Sequence, residues 1–205
     1  MFEQSKYFEK AALLENSLKW QEVLDHCALW SASEPDNFLA WASAGLAHRN
    51  LGQPESAVEA YKAGIAVATD HPIQYFFAKA ISAGTLWNGL GLAYSDLKRV
   101  DEAIEAFLEA ARIDSEQPKV WDNLGVAYML KGNSVKALDA FKKAFSLNPA
   151  DTNSLKNMGL VYATVGQQDG VAFVHQMFLK KSPTAASEFL TQATNLLQNS
   201  KNSPK

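Results

Sequence analysis

Two stretches of this chain superimpose when one is slid 34 residues along the other. "LWNGLGLAYSDLKRVDEAIEAFLEAARID" laid on "VWDNLGVAYMLKGNSVKALDAFKKAFSLNP" puts Trp87 on Trp121, Leu90 on Leu124, Gly91 on Gly125 and Tyr94 on Tyr128. Further along, Ala103 falls on Ala137 and Phe107 on Phe141. A period of this size means one supersecondary unit repeated, each copy burying a face against the next. Trp87, Leu90, Gly91 and Tyr94 stand at i, i+3, i+4 and i+7, one face of a first helix. Ala103 and Phe107 are i, i+4 neighbours on a second. Small residues at Gly91 and Ala103 let the two helices approach while aromatic rings fill the space beside them. Gly132 falls in the turn between helices, where a left-handed backbone is easy for glycine. Pro149 ends a unit, because proline lacks a donor and disfavours helix in the residue before it.

The register extends in both directions. Upstream, Trp41, Ala44, Gly45, Ala57 and Tyr61 keep it, with His48 in place of Tyr. Earlier still, Tyr7, Ala11, Val23, Cys27 and Pro35 fit loosely. Downstream come Leu155, Met158, Gly159, Tyr162, Val171, His175 and Pro183. Five units result, at about 4–37, 38–71, 84–117, 118–151 and 152–185. After them "AASEFLTQATNLLQN" reads as an amphipathic cap over 186–199, with Phe189, Ala193, Leu196 and Leu197 on one face and Phe173, Val174 and Met177 for it to cover. Residues 200–205 read as a frayed tail.

The pattern W-x2-L-G-x2-Y, then A-x3-F, then P, resembles the tetratricopeptide repeat (TPR), and the resemblance covers nearly the whole chain. It implies an all-α fold: a TPR α-solenoid, a right-handed superhelix of antiparallel helix pairs with a C-terminal capping helix, forming a single domain over 1–199.

One stretch breaks the period. Trp41 and Trp87 lie 46 apart, so "PIQYFFAKAISA" (72–83) is inserted. Ile73, Phe76, Phe77, Ala80 and Ile81 follow helical spacing, and Pro72 suits a first helical position. The insert reads as an extension of the third repeat's first helix by ~18 Å, with a separate short helix as the rival. Ile73, Phe76 and Phe77 then pack on the second repeat or form a surface for a partner or a second copy.

Chemistry is sparse. No phosphate loop, HExxH, GxSxG or closely spaced Cys/His set occurs, so no catalytic, cofactor or metal residues are expected. His26 and Cys27 are neighbours on a helix and point about 100° apart. Cys27, His48 and His175 fall on core positions of the repeat. A single cysteine excludes an internal disulfide. With 47% apolar and 20% charged residues the chain is globular rather than disordered. The net charge of −3 gives no reason to expect nucleic acid. No apolar run suits a membrane span or leader, which makes a cytoplasmic location the expectation. The charge is unevenly spread: residues 1–118 hold 9 basic and 17 acidic side chains, about −8, and residues 119–205 hold 10 and 5, about +5.

The resemblance implies where a ligand sits. In the family, first helices of successive repeats line a groove that takes peptides, at positions one, two and five after the Trp. Here these are Ala42, Ser43, Leu46; Asn88, Gly89, Leu92; Asp122, Asn123, Val126; and Lys156, Asn157, Leu160. The aliphatic residue in each triplet makes an apolar stripe, and Asn123 and Asn157 can grip an extended backbone. The clamp by which some family co-chaperones hold a chaperone's terminal carboxylate needs Lys, Asn, Lys and Arg where Asn88, Leu92, Asn153 and Asn157 stand, so it is not expected. The reading is a non-catalytic scaffold or adaptor binding a protein or peptide partner. The alternative is an assembly protein that self-associates through 72–83 or its charge-polar ends; a targeting part of a larger enzyme is a third.

Overall fold

The computed structural model describes residues 6–70 and 83–202. The readings made for residues 72–82, including Ile73, Phe76 and Phe77, lie outside the described residues. Among those described the chain forms eleven α-helices and no strand. They are α1 (Lys6–Asn16), α2 (Trp20–Ser33), α3 (Phe38–Asn50), α4 (Pro54–Asp70), α5 (Ala83–Asp96), α6 (Val100–Ile113), α7 (Pro118–Leu130), α8 (Ser134–Leu147), α9 (Asn153–Thr164), α10 (Gln168–Lys181) and α11 (Pro183–Asn202). They fall into two compact units, Met1–Ser115 and Glu116–Lys205. Unit 1 holds the pairs α1–α2, α3–α4 and α5–α6; unit 2 holds α7–α8 and α9–α10, with α11 packed on α9 and α10.

The turn inside each pair is built identically. Gly132 N–H donates to Met129 and Asn133 N–H reaches back to Tyr128, both at 2.9 Å, closing the end of α7 with the residue between in a left-handed conformation. The same two bonds recur at Leu18–Lys19, Gly52–Gln53, Lys98–Arg99 and Gly166–Gln167. All five turn residues have positive φ, between 56° and 78°. Glycine occupies three of these positions, and Leu18 and Lys98 occupy the others at the steric cost of a Cβ in that region. The repeat therefore dictates this backbone even where the residue resists it.

In α3–α4, α5–α6 and α7–α8, an aromatic ring from the second helix packs closely on a glycine of the first. A methyl placed on Gly91 would stand 2.5 Å from the Phe107 ring, and one on Gly125 2.6 Å from Phe141. Tyr61 covers Gly45 in the same way. The rings of Phe107 and Phe141 are 1% and 0% exposed, so α5–α6 and α7–α8 are closely packed at their centres.

The last pair solves the problem differently. Its aromatic position holds His175, which is half-buried and not a core residue as the register implied. Phe189 from α11 covers Gly159 instead, stacking on Phe178 with ring centroids 5.3 Å apart. Phe189 and Ala193 are buried, while Leu196 and Leu197 are half-buried. The cap thus supplies the ring that its neighbour lacks. Phe173 is not covered: it remains 57% exposed. The cap begins at Pro183 and runs to Asn202, so helix occupies part of the segment read as a frayed tail.

The strained turns make a stability test. Lys98→Gly relieves a left-handed Cβ and is expected to stabilise unit 1 by about 1 kcal/mol, whereas Gly132→Ala costs unit 2 about 1 kcal/mol. Urea denaturation followed by helical circular dichroism reads both, and opposite signs are the required result.

Candidate partner-binding surface

In unit 2 the first helices of the two pairs, α7 and α9, are neighbours, and α9 also packs on α8. Their equivalent positions stand 34 apart, so Asp122, Asn123 and Val126 on α7 match Lys156, Asn157 and Leu160 on α9. All six are at least partly exposed: Val126 is exposed at 42%, and the other five are half-buried. Met129 and Leu130, 36% and 63% exposed, extend the aliphatic patch of Val126 toward the end of α7. The 34-residue alignment does not single them out, because α9 carries buried Ala163 and exposed polar Thr164 at the matching positions.

Asp122 has an unusual setting. The Ser154 hydroxyl, itself 1% exposed, donates to its carboxylate, yet Oδ1 is buried without a partner. Desolvation raises the Asp122 pKa, Ser154 works against that rise, and nearby Asp151 adds to it. A carboxylate held so is a cost to the fold while it is charged.

Unit 1 differs at the corresponding positions. Leu46 on α3 and Leu92 and Asn88 on α5 are half-buried. Gly89, expected to line the groove, is buried instead. Tyr61 of α4 lies across it: a methyl on Gly89 would meet the ring at 2.4 Å, and one on Gly45 at 2.7 Å. One ring therefore spans two first helices, and the position that carries an amide in unit 2 has no room for any side chain. Beside it Arg49 Nε donates to Asp96 Oδ2 at 2.8 Å, joining α3 to α5, and also hydrogen-bonds the Tyr61 hydroxyl. Burial pushes the Tyr61 phenol up to about 12, with Arg49 opposing. The ring position shared with Phe107 gave no hint of this link, which depends on the hydroxyl.

Other reactive groups are enclosed. Cys27 is 3% exposed, and burial, with Glu15 adding to it, pushes its thiol up to about 12. The His26 ring contacts Tyr7 O through Nε2 at 2.8 Å inside a cluster with Tyr7 and Trp30. His48 is half-buried, its Nδ1 2.7 Å from Gln53 Oε1. Among the described residues no group of three or more His, Cys, Asp or Glu could hold a metal ion, and no helix is long and apolar enough to cross a membrane.

Comparisons with known proteins agree with this architecture. Models described as "Tetratricopeptide repeat" match residues 39–71 and 118–151, and one described as "TPR repeat" matches 91–132. A crystal structure of MamA aligns at a TM-score of 0.72 with 19% identity, covering 86% of this chain and 96% of that one. PilF of Pseudomonas aeruginosa aligns at 0.72 with 15% identity, covering 94% and 86%. YrrB, described as a TPR protein with an unusual peptide-binding site, aligns at 0.67 with 14% identity, covering 97% and 92%. At these identities the likeness is one of fold. A search of curated protein sequences finds no significant match.

The strained carboxylate has a pH signature. Because the folded-state pKa of Asp122 is raised, its penalty is absent below the unfolded value near 3.8 and grows as pH rises through that value to the folded one. Asp122→Asn is therefore expected to raise the melting temperature at pH 7 and to leave it nearly unchanged at pH 3. Equal effects at the two pH values would remove desolvation as the cause.

Proposed function

This chain belongs to the tetratricopeptide-repeat family, and from that premise we propose that it is a non-catalytic adaptor which holds an extended segment of a partner protein on the first-helix face of unit 2. The observation that carries this is the register of α7 and α9: Asn123 with Asn157, and Val126 with Leu160, repeat along one partly exposed face. An amide side chain donates and accepts together, so a row of two matches the alternating N–H and C=O of an extended backbone. The aliphatic pair, lengthened by Met129 and Leu130, takes an apolar side chain of the segment. Asp122 and Lys156 put one charge of each sign beside the amides. That YrrB is described as having a peptide-binding site is in keeping with this reading. Within unit 1 the corresponding face is different: Tyr61 fills the place of the amide at Gly89, and Asn88 and Leu92 are its half-buried polar and apolar residues.

A second reading is favoured by the charge division, about −8 over residues 1–118 and +5 over 119–205. Copies of the chain would associate acidic half to basic half, a head-to-tail contact that builds rings or filaments. Light scattering separates it: molar mass would rise with protein concentration at low salt and fall to one chain at high salt. A constant single-chain mass would dismiss it.

For the adaptor reading, Asn123→Ala and Asn157→Ala are each expected to weaken capture of a partner about tenfold, one lost hydrogen-bonding group apiece, with helix content retained. Undiminished capture by the double variant would refute amide-mediated binding.

A further inference from the structure

A cleft of about 240 Å³ opens in unit 1 between the second helices α4 and α6. Its floor is Trp87, half-buried, with Leu90 and Tyr94 beneath. Ile65 forms part of one wall, and Glu102 and Glu105 the rim on α6. These α5 residues lie on a different face from Leu92, at about 100° per residue, so the cleft is separate from the proposed peptide surface. The same register position holds Trp41 and Trp121 in the second and fourth repeats, both half-buried, and fully buried Leu155 in the last.

The cleft has a chemical bias. Glu105 lines it, is exposed, and has no ion-pair partner among the described residues. Glu102 already accepts from Arg99 at 2.7 Å, and the same guanidinium lies 4.7 Å from the centre of the Tyr94 ring. The protein thus shows, at one edge of the cleft, a guanidinium held between an aromatic face and a glutamate. Lys62 on the far rim is 3.7 Å from Glu59, which offsets its charge. An anionic group would face both glutamates, and a purely apolar one would leave Glu105 without a counter-charge.

We propose that this cleft is a second binding site, which takes the side chain of an arginine or lysine from a basic segment of a partner protein. The aliphatic stem packs on Trp87 and the cation ends at Glu105, combining an apolar contact with a charge-assisted hydrogen bond.

The test uses the full chain, ¹⁵N-labelled, with N-acetyl-arginine methylamide as probe and N-acetyl-norleucine methylamide as its uncharged counterpart. The Trp87 indole N–H, assigned with Trp87→Phe, is followed by NMR. The arginine probe is expected to give a saturable shift, with affinity falling about fivefold for norleucine and about fivefold in Glu105→Gln. Asn123→Ala/Asn157→Ala is expected to keep the full response, so failure of the peptide-surface reading leaves this one intact. The proposal is overturned by no saturable shift, by equal response to both probes, or by an unchanged response in Glu105→Gln. A response that emerges only in Phe76→Ser/Phe77→Ser would also overturn it, by making the chain's own segment the occupant.

Discussion

The fold depends on a ring meeting a residue that has no side chain. Phe107 over Gly91, Phe141 over Gly125 and Tyr61 over Gly45 bring the two helices of each pair within a distance that a single added methyl would forbid. Burying an aromatic side chain of this size contributes a few kcal/mol, and glycine in a helix interior costs roughly 1 kcal/mol relative to alanine. The exchange is favourable only while both partners are present. That is why the last pair, with His175 in the ring position, brings in Phe189 from the cap.

Because the apolar faces are consumed in this way, other faces of the first helices stay partly exposed in unit 2. In unit 2 those faces carry amides, aliphatics and a carboxylate whose Oδ1 is buried without a hydrogen-bond partner. In unit 1 the same positions differ both in their side chains and in what covers them. The Tyr61 hydroxyl, absent from Phe107 and Phe141, reaches Arg49 and through it Asp96, while the ring spreads over Gly89 as well as Gly45. Two copies of one repeat thereby acquire different surfaces without a change in backbone plan.

Much of this is legible in the residues themselves. The period of 34 marks every helix pair, and even the loosely fitting first copy forms one, α1 with α2. The turn at Gly132 is evident from glycine, but Leu18 and Lys98 adopt the same left-handed backbone against their own preference, and only alignment to the repeat discloses them. Asn123, Val126, Lys156, Asn157 and Leu160 can be placed on first-helix faces by counting. Gly89 cannot, because its burial is caused by a ring 28 residues away whose lean is set by packing. Phe173 misleads in the opposite direction: apolar and near the cap, it still faces water.

The sequence by itself determined the helices, their pairing and their turns. Each of these follows from spacing within one repeat, where neighbours along the chain are neighbours in space. The tertiary structure alone decided which aromatic covers which glycine, which amide positions retain a side chain on the surface, and where the cleft over Trp87 opens. Those depend on the direction and reach of side chains from helices that the period treats as equivalent, and a period is blind to differences of a single atom.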